Sequence, residues 1–264
     1  MRITYRRDNN KNYWTKRWEN IPVDSPMDNL SVYPLRYANM TIQDDKSGRI
    51  MEAGCGNGRI LRYFHDKGYD IVGMDFIKVA IQKLKESDPS LKVEVGDITN
   101  LEYADKSFKY ILAFGLFHNL EKGLELSIKE TFRILASGGR VCASFRADNI
   151  QTRLTDWLAE RRSKNLLNNS DESSFHKMNL TKKEFINLFK NAGFLIDSVS
   201  SVENMPILYK FKFFRAYSHK NFNENKARAE GYQLSWLGKI FQKSLMLILP
   251  NQFCNIYVLI AERP

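Results

Sequence analysis

The order of apolar and polar positions over residues 49–147 predicts strands alternating with helices. Short apolar runs at residues 50–53 and 69–74 predict strands, and the apolar positions within residues 60–64 between them have helical spacing. Residues 141–145 are apolar at nearly every position, as expected of a strand that is covered on both faces. Elements of these lengths in this order predict an α/β fold with a doubly wound, Rossmann-like, mostly parallel sheet.

The segments on either side of this alternation follow other patterns. Residues 1–48 interleave aromatic and basic side chains, and three prolines divide them, so we expect two short helices that form an N-terminal cap. Thr181, followed by Glu184 three residues later, predicts the start of a helix. An apolar run near the C-terminus predicts a last strand, antiparallel at the sheet edge. The expected organisation is a cap (1–48), a core (49–204 with 251–264) and a basic, helical insertion (205–250).

Two of these segments allow more than one interpretation. The apolar spacing of residues 236–249 predicts a helix, and the pattern favours one that covers the sheet edge and packs in the ordinary core. The other interpretation is an amphipathic element at a lipid headgroup surface, or an apolar wall for a long-chain substrate. The cap aromatics either complete a substrate pocket or pack as ordinary half-buried residues of an N-terminal arm.

Candidate chemistry lies where the first two predicted core strands end. The first ends in a glycine-rich turn, Gly54-Cys55-Gly56-Asn57-Gly58, and the second ends in Asp75. Ligands of such sheets bind at the carboxyl ends of the strands, so the turn and Asp75 should share one crevice. The spacing G-x-G-x-G differs from the dinucleotide fingerprint G-x-G-x-x-G, and no phosphate-binding G-x-x-x-x-G-K-[ST] occurs.

The charge of the two acids indicates which kind of cofactor would bind. Glu52 stands directly before the turn, where it would repel a pyrophosphate and attract an ammonium or a sulfonium. Asp75 is placed to accept hydrogen bonds from ribose hydroxyls. The alternative is a pair of solvated acids at strand ends, but in combination with the turn the pattern favours a nucleoside-bearing cofactor.

These residues resemble motif I of the class I S-adenosylmethionine-dependent methyltransferases, and further resemblances follow in order to about residue 202. Residues 73–76 resemble the acidic loop after the second strand, and residues 95–98 the segment whose Asp contacts the adenine amino group. Residues 107–114 and 117–120 resemble the fourth strand and its loop, and residues 130–139 resemble E-x-x-R-v-L-k-P-G-G with Ser137 replacing Pro. The resemblance implies S-adenosylmethionine as cofactor, S-adenosylhomocysteine as product, and a cofactor site made of Glu52, Gly54, Cys55, Gly56, Asn57, Gly58, Asp75, Phe76, Gly96, Asp97, Ile98 and Phe114.

Methyl transfer from a sulfonium is an in-line displacement, so the main requirement is a nucleophile held about 3–3.5 Å from the methyl carbon. A hydroxyl nucleophile also needs a base whose pKa lies near the operating pH. His118 is the candidate catalytic base, because it lies in the loop that faces the methyl group in this family and histidine titrates near neutrality. The alternative role for His118 is to hold the loop by hydrogen bonds. The expected substrate residues are Trp14, Trp18, Tyr33, Tyr37, Arg146 and His176.

Composition narrows the class of protein. The chain has 264 residues, 43% of them hydrophobic, and a formal charge of +10. Its three widely spaced cysteines argue against a disulfide framework, and no cluster has metal-ligand spacing, so we expect no metal. The charged N-terminus and the lack of an apolar run of about 20 residues predict a cytoplasmic protein, with peripheral contact at a membrane surface as an option through residues 209–249.

The distribution of positive charge along the chain indicates which class of methyl acceptor to expect. The excess of positive charge lies in the N-terminal arm and in residues 210–228, which suits an anionic small molecule that is sugar- or lipid-linked or a natural product. The Pro-Pro-aromatic motif of amino-methylating nucleic-acid enzymes and the Pro-Cys pair of C5-pyrimidine enzymes are both missing. We therefore expect O-methylation of a small molecule and regard nucleic acid as disfavoured. The alternatives are an RNA methyltransferase or a non-catalytic partner protein that binds the cofactor; the oligomeric state is left open.

Overall fold

The main sheet of the protein has seven strands, six of them running in the same direction. A computed structural model describes residues 1–6, 9–23, 25–164, 174–223, 226–227 and 230–264. The strands are β1 (Arg2–Arg6), β2 (Ile50–Ala53), β3 (Ile71–Asp75), β4 (Val93–Val95), β5 (Phe108–Ala113), β6 (Leu135–Arg146), β7 (Ser174–Asn179), β8 (Leu195–Val202) and β9 (Ile256–Glu262). The order in the main sheet is β4-β3-β2-β5-β6-β9-β8, and β1 pairs with β7 in a separate sheet. The doubly wound α/β class is confirmed.

Helices alternate with the strands through the first half of the sheet, as the pattern predicts. The capping box at Thr181 is present, because its hydroxyl accepts from the Glu184 amide while the Glu184 carboxylate accepts from the Thr181 amide. The helices are α1 (Asn10–Asn20), α2 (Leu35–Ile42), α3 (Arg59–Asp66), α4 (Lys78–Ser87), α5 (Leu124–Ile134), α6 (Ile150–Lys164), α7 (Lys182–Asn191), α8 (Trp236–Ile248) and α9 (Pro250–Phe253).

Both faces of the main sheet are covered. Successive residues of a strand point to opposite faces, and Ile50 and Met51 of β2 accordingly belong to two different buried clusters. One cluster contains side chains of α2, α3 and α4, and the other contains side chains of α5 and α7. This two-sided burial explains why the central strands read as continuous apolar runs.

The antiparallel last strand is confirmed, but it does not lie at the sheet edge. β9 pairs with β6 on one side and β8 on the other, antiparallel to both, so β8 is the edge strand. The physical reason is visible in burial, because six of the seven residues of β9 are buried whereas β8 buries only Val202. Residues 135–139 also differ from expectation. The apolar run predicted a strand over residues 141–145, but β6 begins already at Leu135 and contains Gly138 and Gly139, where the pairing with β5 shifts register.

The sheet formed by β1 and β7 was not predicted. Arg2 pairs with Asn179 and Arg6 with Ser174, antiparallel, with one irregularity between Thr4 and Tyr5. The pairing ties the N-terminal segment to the segment after α6, beside the carboxyl end of β6, where Ala147 bridges Leu180.

The insertion helix is not packed in the core, so that interpretation is wrong. Of α8, only Gly238 and Gln242 are buried, while Met246 packs partly against the main core. Most large apolar side chains of α8 are exposed. No described helix is both long enough and apolar enough to span a membrane. The division into cap, core and insertion stays a prediction.

Candidate functional site

The backbone of the glycine turn is shaped by left-handed residues. Gly56 has φ of +53°, and a Cβ placed on it would lie 2.8 Å from Cζ2 of Trp18. Gly58 has φ of +79°, and its Cβ would lie 2.6 Å from Leu84 Cδ2 of α4. Both the backbone angle and the close neighbours therefore require glycine at these two positions.

Two buried carboxylates hold the turn against the strand ends. Asp75 accepts hydrogen bonds from the amides of Gly56 (2.8 Å) and Ile77 (2.9 Å). Glu52 accepts from the amide of Leu61 (2.8 Å), near the start of α3. Burial raises the pKa of Asp75, while the amide of Ile77 and then that of Gly56 lower it. The interpretation of both residues as solvated strand-end acids is therefore wrong, since Glu52 is 5% and Asp75 8% exposed.

Helix α1 lies over the turn and is tied to it. The Asn57 side-chain amide donates to the Pro22 carbonyl (2.9 Å), and Lys83 Nζ of α4 donates to the carbonyls of Trp18 (2.7 Å), Glu19 (2.8 Å) and Ile21 (3.0 Å). A cation at the carbonyl end of a helix satisfies groups that the helix itself leaves open. These contacts place α1 above the glycine turn, and its role as a cap stays a prediction.

The remaining cofactor candidates follow the carboxyl ends of β2, β3, β4 and β5. Phe76 is exposed, with Lys11 Nζ 5.1 Å from its ring centre, and Asp97 accepts from both the amide and the hydroxyl of Thr99 (2.8 Å each). Ile98 and Cys55 are buried, and burial raises the pKa of the Cys55 thiol well above its ordinary value. Gly96 follows β4, and the ring of Phe114 meets that of Tyr33 edge-on at 5.7 Å. Their roles toward a cofactor stay predictions.

The residues present fit a ligand that combines a cation with hydroxyl groups. Two acids are buried at the turn, and Asn57 Oδ1 is a buried acceptor atom without a hydrogen-bond partner. A sulfonium or ammonium suits carboxylates, and ribose hydroxyls suit the acceptor atoms.

A second group of polar side chains lies at the carboxyl end of β6. Arg146 ends that strand, His118 follows β5, and His176 and Lys177 belong to β7. Burial lowers the pKa of His118 well below its ordinary value, and the charges of Arg146 and Lys177 lower it further. Burial likewise lowers the pKa of His176 to about 3 and that of Lys177 to about 8. We call these four residues the cationic cluster.

Carboxylates balance only part of the cationic cluster. Lys177 Nζ pairs with Asp156 at 3.1 Å, and Arg2 pairs with Asp156 and Asp148 at 2.8 Å each. Arg146 has no ion pair within the described residues, and its Nε is a buried donor without a hydrogen-bond partner. His118 Nδ1 is likewise a buried atom without a hydrogen-bond partner. Buried polar atoms are rarely left this way unless a ligand or water completes them.

Tyr33 lies between Ser144 of β6 and a neighbouring cavity. Its hydroxyl is 2.9 Å from Ser144 Oγ, which accepts from the amide of Gly115 (2.9 Å), and burial raises the pKa of Tyr33 to about 12. The cavity measures about 340 Å³ and lies between α2 and the insertion. Its walls include Tyr33, Arg36, Tyr37, Glu203, Pro206 and Tyr232.

The structure thus brings together some predicted substrate residues and separates others. Arg146 and His176 lie with His118 in the cationic cluster, and Tyr33 and Tyr37 lie on the cavity wall. Trp14 and Trp18 stack on each other (5.6 Å) and pack against α4, over the glycine turn instead. The sequence reasoning missed Lys177 and Glu203, whose positions depend on β7 and on the chain after β8. Among the described residues, no group of three or more His, Cys, Asp or Glu could hold a metal ion.

The sheet order, the left-handed glycine turn and the buried acids define a class I α/β domain built to hold a nucleoside-bearing cofactor. Residues 51–143 match the family model described as "Methyltransferase domain". Over these residues the chain is similar to the class I methyltransferases that use S-adenosylmethionine as cofactor.

Known proteins agree at this level. The chain is 29% identical over 129 residues to a demethylmenaquinone methyltransferase of Paenarthrobacter aurescens (48% of this chain, 44% of that protein). It is 26% identical over 152 residues to an uncharacterized methyltransferase of Alkaliphilus oremlandii (56% and 69%). A solved S-adenosylmethionine-dependent methyltransferase of Methanosarcina mazei shares the fold with a TM-score of 0.57 and 17% identity, over 88% of this chain and 98% of that one. The chain spans about half the length of most of the curated relatives it matches.

Proposed function

We propose that this chain transfers the methyl group of S-adenosylmethionine to a hydroxyl oxygen of an anionic small molecule. The acceptor would reach the site through the cavity beside Tyr33 and place its anionic group at the cationic cluster. Sugar-linked, lipid-linked and natural-product acceptors that carry a carboxylate or phosphate all have the required chemistry.

The observation that carries this proposal is the buried Nε of Arg146, a donor with no hydrogen-bond partner. A buried donor without a partner is costly, whereas a ligand carboxylate or phosphate can accept two parallel hydrogen bonds from a guanidinium. The carboxylates nearby already pair with Arg2, Lys177 and Arg153. An anionic ligand would therefore supply the missing charge.

The chain's own residues would then hold the acceptor and move its proton. S-adenosylmethionine supplies the methyl group when bound. Neutral His118 can accept a proton, but its lowered pKa makes it a weak base in the free protein. An anion bound beside Arg146 and Lys177 would screen their charges and raise the pKa of His118 again. In this proposal the acceptor's charge helps to activate the base.

Arg146→Gln tests the recognition of the anion. We expect the KM for an anionic acceptor to rise at least tenfold, while the affinity for S-adenosylhomocysteine by calorimetry stays unchanged. Arg146→Lys should restore part of the activity, and Lys129→Gln, which removes an exposed charge on α5, should behave as wild type. The acceptor panel should pair anionic hydroxylated compounds with neutral analogues. It should also include demethylmenaquinone, because similar proteins are named demethylmenaquinone methyltransferases. Equal KM values for wild type and Arg146→Gln would refute the proposal.

His118→Ala tests the base. We expect kcat to fall well over tenfold with cofactor affinity kept, and the loss to shrink for acceptors whose hydroxyl has a lower pKa. A variant with unchanged kcat would leave His118 only a role in holding the loop. The same assay separates the alternatives, since an RNA methyltransferase would modify transcripts but no small acceptor, and a non-catalytic partner would bind the cofactor without turnover.

A further inference from the structure

Six of the large apolar side chains that the insertion exposes to solvent lie on α8 and on the 3-10 turns before it. Trp236 is 70%, Ile240 55% and Leu247 81% exposed, and all three belong to α8. Ile248 of the same helix is 72% exposed, and Phe213 is 75% exposed. We call Phe211, Phe213, Trp236, Ile240, Leu247 and Ile248, together with Lys212, Lys239 and Lys243, the α8 surface. Contiguous exposed apolar side chains of this size mark interaction sites.

Helix geometry shows that this exposure is a property of one face. Successive residues of an α-helix are rotated by about 100°, so Trp236, Ile240 and Leu247 lie within about 40° of one another. Gly238 and Gln242, the buried residues of α8, lie on the opposite side. The outward face is therefore the apolar one, with Lys239 and Lys243 on its flank.

The packing below α8 fixes this orientation. A Cβ on Gly238 would lie 2.7 Å from the carbonyl oxygen of Phe214, so the helix sits directly on the 3-10 turns before it. The ring of Phe214 meets that of Phe241 at 6.1 Å, and the Ser235 amide donates to the Phe214 carbonyl (2.8 Å). Turning the apolar face inward would break these contacts.

The charge of the region indicates what covers the α8 surface. Residues 205–250 contain eight Lys or Arg and two Glu. An apolar helical face bordered by lysines and a tryptophan suits the headgroup region of an anionic bilayer, where the apolar side chains enter the acyl boundary and the cations meet lipid phosphates. A second copy of this chain would place the same lysines against each other, which is unfavourable.

We propose that the α8 surface binds the surface of anionic lipid bilayers, with α8 lying in the plane of the interface. Residues 230–233, which line the cavity beside Tyr33, lead directly into α8. Membrane binding would thus hold the cavity wall close to the lipid headgroups. The binding surface shares no residue with the cationic cluster, so it does not depend on the acceptor proposed above.

Vesicle cosedimentation of the full chain tests this directly. We expect binding to phosphatidylglycerol vesicles that weakens with salt, and little binding to phosphatidylcholine vesicles. Lys239→Gln/Lys243→Gln should weaken binding by about thirtyfold, since each lysine at an anionic surface contributes about fivefold. Ile240→Ser/Leu247→Ser should weaken it at least tenfold. Leu126→Ser, a matched control on α5 where the leucine is also exposed (51%), should bind as wild type.

Tryptophan fluorescence gives a second measurement that needs no loss of binding. Trp236 should shift its emission to shorter wavelength on phosphatidylglycerol vesicles, and the shift should vanish in Trp236→Phe. The proposal is overturned if wild type does not bind these vesicles, or if Ile240→Ser/Leu247→Ser binds as well as wild type. The proposal is also overturned if wild type forms a dimer and does not bind vesicles, and if Ile240→Ser/Leu247→Ser dissociates that dimer. The α8 surface would then bind a second copy of the chain.

Discussion

Replacing Asp75 by Asn separates the structural role of this carboxylate from its role toward the cofactor. The two carboxylate oxygens accept from different amides, those of Gly56 and Ile77. Asn keeps one acceptor oxygen and turns the other into a donor. One of the two buried amides therefore loses its partner.

The magnitude follows from these two bonds. A hydrogen bond to a charged acceptor contributes about 1.5–3 kcal/mol, and one of the two is lost. Part of this loss is offset, because burial raises the pKa of Asp75 and the neutral amide is easier to bury than the carboxylate. We expect a net loss of about 1–2 kcal/mol in the free energy of unfolding, and a fall of about 2–8 °C in Tm for a chain of this size.

Urea denaturation and calorimetry with S-adenosylmethionine measure the two effects separately. We expect at least a tenfold loss of cofactor affinity in addition to the loss of stability. Asp70→Asn is the control, because Asp70 pairs with Lys92 at an exposed position and should change stability by less than about 1 kcal/mol. Unchanged stability would refute the hydrogen-bond account. Reduced stability with full affinity would instead refute the predicted contact with the ribose.

Two further changes test other parts of the structure. Lys83→Met removes three hydrogen bonds to the end of α1. Hydrogen exchange of the α1 amides, measured by mass spectrometry, should therefore accelerate about tenfold while the sheet amides keep their protection. Uniform acceleration of all amides would contradict this local role of Lys83. Burial raises the pKa of Glu203 to about 7, so the folded protein keeps a proton that the unfolded chain loses between about pH 4.5 and 7, and folding stability falls over this window. Glu203→Gln should therefore be as stable as wild type near pH 4 and more stable, by about 1–2 kcal/mol, at pH 8. The same difference in the free energy of unfolding between Glu203→Gln and wild type at pH 4 and at pH 8 would refute this.

Local signals explain which parts of the fold were predictable. The strand, glycine turn, helix and strand over residues 50–75 follow from periodicity and from glycines that only a left-handed turn requires. The capping box at Thr181 is equally local, since its two partners are three residues apart. These elements have their cause within a short window of sequence.

The unpredicted parts depend on distant pairings. Arg2 meets Asn179 across most of the chain length, and a short polar strand carries no signal that names such a partner. The cationic cluster could not be predicted for the same reason, because the position of His176 and Lys177 near Arg146 depends on the pairing of β7. The apolar spacing of α8 predicted a helix, but the same spacing serves a core or a membrane. The contacts of Gly238 with Phe214 show which side of the helix faces the protein. The inner position of β9 could have been predicted from the sequence, since its continuous apolar run suits an inner strand better than an edge strand.

The positive charge of this chain occupies two environments, and salt should distinguish them. The Nε of Arg146 is buried, where solvent ions screen little, whereas the lysines of the α8 surface face solvent and are screened within about 10 Å at 0.1 M salt. If the buried charge selects the acceptor and the exposed charge holds the membrane, raising the salt should release the protein from anionic vesicles while the KM for an anionic acceptor changes little. A KM that rises in step with vesicle release would mean that the exposed lysines, not Arg146, collect the acceptor.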